Sequence, residues 1–508
     1  MKRFLFSLVM IVFFISSIQV VFSLTKDTRK KVKLTGYLLG SAPVGMPDVM
    51  KELNKKLSKD INATMEINYI GWGDFQSKYP LILASGQDFD WIYTANWAFY
   101  FQQAAKGAFM EITEDMLKKY MPRHYKALSK DAYNEAKVGG KMYMIPTSTP
   151  DRKIPVTIIR GDLRKKYKIP EIKKYSDLEA YLEAIKKNEP EMIPMYLDHS
   201  YDIGRPIAAL AAEMGDYYFD ILFATGSGSG IDFNLEDKTY KLTYSLEGDD
   251  LAARKKAAVI MKSWYDKGYI NHDVFANTVR SKDAFSLGKS GIGIGNSQDI
   301  QANILDAQSK GWEVEIVPEL DAKGHYYADP YINNGVALPA GTKNPERALM
   351  ALDLIMEEKS YNFLMYFGIE GKNYIVKNGK IDLPAGLTAD KNTYQPDAAG
   401  FWFTNKDMFP PFATWSDQYI KLKKDIKDKG YLVSTIFQSM PINTESIKTE
   451  LATINQVMVQ YGQPMQIGMA KDVDESIKLL DGKLKAAGVM KVKEELQKQV
   501  DAYVKSIK

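Results

Sequence analysis

Val32-Lys33-Leu34-Thr35-Gly36-Tyr37-Leu38-Leu39, Thr64-Met65-Glu66-Ile67-Asn68-Tyr69-Ile70 and Asp90-Trp91-Ile92-Tyr93-Thr94 are three strand-like runs early in the chain. Between the first and second, Pro47 to Lys59 places Val49, Met50, Leu53 and Leu57 on one helical face. Between the second and third, Phe75 to Ala84 reads as another helix. Strand–helix–strand order at this spacing means βαβ units, an α/β fold and a mostly parallel sheet. Ligands bind such sheets beyond the carboxyl ends of the strands. Here those ends are Gly40-Ser41, Gly71-Trp72-Gly73 and Ala95-Asn96-Trp97.

Outward from this stretch, Gly139-Gly140 turns into a short strand over Lys141 to Thr147. Ile154 to Ile159 is a β-branched run that suits a crossover into a second lobe. Ser176 to Lys187 reads as a helix, with Ser176 and Glu179 spaced as a capping box. Gly226-Ser227-Gly228-Ser229-Gly230 is a loop too short to link domains. Leu251 to Lys267 is a long helix closed by Gly268. Strands are expected near Gly291 to Ile294, Glu313 to Val317 and Val336 to Pro339, and helices dominate from Ser416 onward.

The chain has 508 residues, more than one ordinary core accommodates, so at least two lobes are expected. Hydrophobic residues make up 45% and charged residues 26%, as in a soluble globular protein. The net charge of +4 argues against a nucleic-acid partner, which needs a clear basic excess. The absence of cysteine excludes disulfides, thiolate metal sites, cysteine nucleophiles and a lipid anchor on an N-terminal cysteine. No two of the four histidines lie three to five residues apart, so neither a metal nor a cofactor is expected. Lys2 and Arg3 precede an apolar run from Phe4 to Val21, and Val21-Phe22-Ser23 suits cleavage before Leu24. Residues 1–23 therefore read as an export signal; uncleaved, the same run would tether the protein to a membrane.

Enzyme signatures fail one by one. Gly288-Lys289-Ser290 lacks the upstream glycine of a phosphate loop, and Gly291-Ile292-Gly293-Ile294-Gly295 is not a dinucleotide fingerprint. Neither a zincin helix nor a nucleophile elbow is present. Carboxylate pairs such as Asp88 with Asp90 read as solvated charges. A non-enzyme is expected.

Several stretches in order resemble the extracellular solute-binding proteins of bacterial ABC importers, in the maltose-binding-like, carbohydrate-type branch. They are Lys78-Tyr79-Pro80 through Ala84-Ser85-Gly86-Gln87-Asp88-Phe89-Asp90-Trp91-Ile92, Gly107 to Thr113, Gly140 to Pro146, Ala284 to Lys289, and Leu338 to Ala348. Phe367 to Tyr374 and Ala399-Gly400-Phe401-Trp402-Phe403 resemble a subgroup with an extended C-terminal domain. The chain departs from many relatives in having no lipobox cysteine.

The resemblance implies a two-lobed periplasmic-binding-protein type II fold with a hinge, a ligand cleft and a helical C-terminal extension. The first lobe would take residues 24–155 and 321–374, the second 156–320 and 375–508. The implied function is capture of a small molecule, a mono- or oligosaccharide, by lobe closure and its delivery to the permease subunits of an ABC transporter. The protein would be a periplasmic or extracellular monomer. Implied ligand contacts are Trp72, Asp74, Tyr93, Asn96, Trp97 and Asn333 around the first lobe, and Tyr201, Asp202, Asn296 and Trp415 in the second. Aromatic faces suit the C–H faces of a sugar and planar polar groups suit its hydroxyls. A peptide or an acidic ligand, the latter gripped by Arg160 or Arg205, remains open at this point, as do an exported glycoside hydrolase and a surface antigen.

Overall fold

A computed structural model describes residues 28–71, 74–215, 218–222, 229–395 and 399–507. The stretch expected to be an export signal, Trp72 and most of the glycine–serine loop lie outside these residues. The chain begins with strand β1 (Val32–Leu39), helix α1 (Met46–Ile61), strand β2 (Ala63–Ile70), helix α2 (Phe75–Ala84) and strand β3 (Trp91–Thr94). Short helices lead to strand β4 (Ile145–Pro146). Next come β5 (Pro155–Arg160), α3 (Leu178–Asn188), α4 (Arg205–Glu213) and a meander of β6 (Tyr218–Asp220), β7 (Ile231–Asn234) and β8 (Leu242–Tyr244). Then follow α5 (Gly248–Asp266), α6 (Ser281–Ser286), β9 (Ile292–Asn296), α7 (Gln301–Ser309) and β10 (Val314–Pro318). The chain continues through β11 (Gly335–Ala337), α8 (Pro345–Glu357) and α9 (Lys359–Phe367). It ends with α10 (Asp417–Asp428), α11 (Lys448–Val457), α12 (Val473–Ala486) and α13 (Val489–Ile507).

These elements form two compact units. One takes the chain up to Pro150 and returns over Tyr331–Ala413; the other takes Asp151–Pro330 and Thr414–Lys508. The chain thus passes from one unit to the other three times. Residues 375–413, joined to the second lobe in the sequence reading, pack with the first unit. Phe403 sits edge-on to Trp91 at 5.6 Å, and the Tyr394 hydroxyl donates to the Met365 carbonyl at 2.7 Å.

In the first unit the sheet order is β2-β1-β3-β11-β4. The first three strands are parallel, as βαβ units require. Only β11 reverses: it runs antiparallel to both β3 and β4. Two glycines mark close approaches. A Cβ on Gly36 would lie 2.0 Å from Cε2 of the fully buried Trp91, and one on Gly335 would lie 2.5 Å from the Ile145 carbonyl oxygen. The strand expected over Lys141 to Thr147 is divided. Lys141–Met142 forms a small hairpin with Lys137–Val138, and only β4 joins the main sheet.

The second unit differs from the first. Its sheet β9-β5-β10 is antiparallel throughout. Nor does the Ser176 capping box form. The Ser176 hydroxyl donates to Glu213 at 2.6 Å, while Asp177 accepts the N–H groups of Lys173 and Lys174. Glu213 takes the Ser176 N–H as well, at 2.8 Å, while the local carboxylate of Glu179 pairs with Lys267 at 2.5 Å.

The packing at Gly36 makes a direct test. Gly36→Ala is expected to destabilise the protein by about 3 kcal/mol through overpacking against Trp91. Urea unfolding followed by fluorescence measures this; a change within error of zero would show that the indole is free to move aside.

Candidate functional site

The carboxyl end of β3 builds an aromatic platform in the first unit. Ala98 N–H closes a turn onto the Ala95 carbonyl at 2.9 Å, and Phe99 adopts a left-handed backbone with φ 63°. Asn96 holds this turn from both sides. Its N–H donates to the Ile332 carbonyl at 2.9 Å, and its side-chain oxygen accepts the Trp97 N–H at 3.0 Å. The turn therefore presents Trp97 outward, 38% exposed despite its size. Its indole N–H is spent on the Asn333 carbonyl at 3.0 Å, which fixes the ring plane and leaves a π face for contact.

Beneath Trp97 lie other rings. Tyr93 is 5.8 Å away, Trp402 6.3 Å and Phe75 6.3 Å, with Tyr93 and Trp402 4.9 Å apart. Tyr93 itself is fully buried, and its hydroxyl donates to Asn334 at 3.1 Å. It is the floor that positions the other rings. The structure therefore brings together Tyr93, Asn96, Trp97 and Asn333 of the expected set. Asp74 stands apart in an exposed ion pair with Lys78 at 2.7 Å.

Trp402 and Phe75 complete the platform and were absent from the expected contacts. Phe75 follows Asp74 at the start of α2, and its neighbourhood to a strand end was the available signal. Trp402 stands in the Ala399 to Phe403 stretch already noted, but its place here depends on residues 375–413 packing with the first unit.

In the second unit, Tyr201 is 65% exposed and carries the Arg280 guanidinium over its ring at 4.9 Å. Asn296, at the end of β9, folds its side-chain oxygen onto the N–H groups of Gln298 and Asp299, at 2.9 and 3.0 Å, and so caps a turn. Trp415 packs edge-on against Tyr419 at 4.8 Å, beside the core of Ile426 and Phe285. Asp202 is fully buried, with Oδ2 accepting the Ser281 N–H at 2.6 Å. It ties the Tyr201 loop to the start of α6. Both arginines considered for an acidic ligand are occupied. Arg160 pairs with Asp162 at 2.6 Å and stacks on Trp312, and Arg205 pairs with Glu319 at 3.1 Å.

Burial, reinforced by the neighbouring Asp198 carboxylate, pushes the Asp202 pKa up to about 6, although the Ser281 N–H opposes this. The folded state then binds this proton more tightly than the unfolded chain. Its contribution to stability is full below about pH 4 and is lost as pH rises through about 6. Asp202→Asn, which keeps the acceptor for Ser281, is expected to flatten the wild-type fall in stability across that window. Denaturant midpoints from pH 4 to 7 measure it; identical slopes in both proteins would refute the assignment.

Comparison with known proteins agrees with this architecture. The family model described as bacterial extracellular solute-binding protein matches residues 44–362, and a domain of unknown function matches residues 441–505. A carbohydrate ABC transporter substrate-binding protein of Streptococcus pneumoniae serotype 4 is 26% identical over 490 residues, covering 95% of this chain and 93% of that protein. Among solved structures, an N-glycan transport solute-binding protein from Streptococcus pneumoniae superposes with a TM-score of 0.74 at 23% identity, over 94% of this chain and all of that one. An ABC-transporter-associated solute-binding protein of Bifidobacterium longum infantis, described as binding HMO, gives 0.68 at 19% identity, over 93% and 99%. The fold is therefore the two-lobed type II periplasmic-binding architecture with a helical C-terminal region. With that model matching more than half of its length, the chain belongs to the bacterial extracellular solute-binding proteins.

Proposed function

We propose that this protein captures an oligosaccharide outside the cytoplasm and delivers it to the permease of an ABC importer. The observation that carries this reading is the Trp97 platform. A large, partly exposed indole is held rigid by the Asn333 carbonyl and backed by Trp402 and Tyr93. Such a surface matches the C–H face of a pyranose at little entropic cost, because the ring is ordered before the ligand arrives. Asn96 and Asn333 lie beside it, and Tyr201 offers a second exposed ring in the other unit.

The relatives support the same ligand class. The pneumococcal relative is a carbohydrate substrate-binding protein, and the solved neighbours include complexes with Man1GlcNAc, Man5GlcNAc and kestose. The occupied state of Arg160 and Arg205 favours a neutral sugar over an acidic ligand. The basic, then apolar, N-terminus supports export. No described helix is long and apolar enough to cross a membrane. In this reading the protein is a monomer that binds without turning its ligand over.

A thermal-shift panel of neutral oligosaccharides, uronic oligosaccharides, amino acids and short peptides on residues 24–508 tests the reading. A sugar at 100 times its Kd is expected to add about 2.7 kcal/mol of stability. Trp97→Ala is expected to weaken the best sugar ten- to a hundredfold, about 1.4–2.7 kcal/mol, with unchanged circular dichroism. A hit confined to peptides would overturn the sugar, and recovery of hydrolysed sugar would overturn the non-enzymatic reading.

A further inference from the structure

The second unit contains a pocket of about 280 Å³ that none of the foregoing uses. On one side α4 turns its small residues Ala208 and Ala212 toward it. Opposite stand Leu480 and Leu484 of α12 and Met465, all within the segment matched as a domain of unknown function. Phe219 and Tyr327 close it further.

The charged groups on its wall are already paired. Arg205 donates to Glu319, whose other oxygen accepts the Thr157 hydroxyl at 2.8 Å. Arg254 joins Asp250 and Asp232 at 2.6 and 2.8 Å. Asp220 accepts the N–H groups of Leu222, Ser229 and Gly230, and Asp321 those of Lys323 and His325. Each charged group on the wall thus already has hydrogen-bond partners within the protein. Two neutral polar side chains, Ser245 and Gln466, also stand on the wall.

Water gains little in such a space, since each molecule needs two to four polar partners. A compact apolar molecule gains the full burial of its surface, and a cavity of about 150 Å³ already suffices for a benzene-sized ring. We propose that this pocket is a second ligand site for a small, neutral aromatic molecule bearing one hydrogen-bonding group, and that the C-terminal helices serve as its wall. The site shares no lining residue with the Trp97 platform, and the proposal does not depend on what that platform binds.

Indole is the probe, because its ring matches the volume and its N–H can reach a neutral acceptor such as Gln466. Calorimetry on the full chain is expected to show saturable binding with a Kd of about 1 mM or tighter, as suits a ligand of about nine non-hydrogen atoms. Ala208→Leu extends a side chain into the pocket and is expected to weaken indole at least tenfold without lowering Tm. Trp97→Ala is expected to leave indole affinity within twofold. Independently of either variant, the methyl NMR signals of Met458 and Met465 are expected to shift with indole. No saturable binding, unchanged affinity in Ala208→Leu, loss of binding in Trp97→Ala, or unmoved Met458 and Met465 signals would each overturn the proposal.

Discussion

The return of the chain at Gly335–Ala337 is the constraint on which the candidate site depends. Strand β11 inserts between β3 and β4, with Gly335 opposite both Thr94 and Pro146. This pairing sets the two residues before it against the end of β3. The Asn333 carbonyl then meets the Trp97 indole N–H, and Asn334 meets the Tyr93 hydroxyl. Only glycine fits at 335, because a Cβ would enter the Ile145 carbonyl and the Met144 side chain. A rigid indole at the surface therefore follows from a steric condition in the sheet beneath it.

The same economy of groups runs through the second unit. Asp202 is buried to anchor α6, and Asn296 is folded into its own turn. These residue types would suit sugar hydroxyls, yet the fold uses them to satisfy backbone N–H groups that would otherwise be buried without partners. What the unit leaves outward is Tyr201, with the Arg280 guanidinium on its ring. The two units thus carry unlike surfaces: a fixed aromatic cluster in one and, in the other, the exposed Tyr201 ring with a cation on it.

The early βαβ stretch was legible because its signals are local. Alternation in β1 and β2 and the helical spacing of Val49, Leu53 and Leu57 reflect one buried face each, and those residues are buried. The strand-end loop Ala95-Asn96-Trp97 was legible for the same reason. Strand direction in the second unit was not, since β5 finds antiparallel partners from distant parts of the chain. Ser176 shows the limit at a single residue: its spacing from Glu179 suits a cap, but Glu213, far along the chain, supplies a better acceptor.

By itself the sequence determined the class of molecule: an α/β chain with a basic, then apolar, N-terminus, no cysteine chemistry, and aromatics in a strand-end loop. Those features are written in composition and short-range periodicity, which act over a few residues. Tertiary structure alone decided which aromatics meet. Tyr93 became floor, Trp97 surface and Trp402 neighbour, and Trp415 packed half-buried against the core that holds Phe285, because their surroundings come from distant segments of the chain. Burial is a property of the packed whole, so no local pattern could have assigned it.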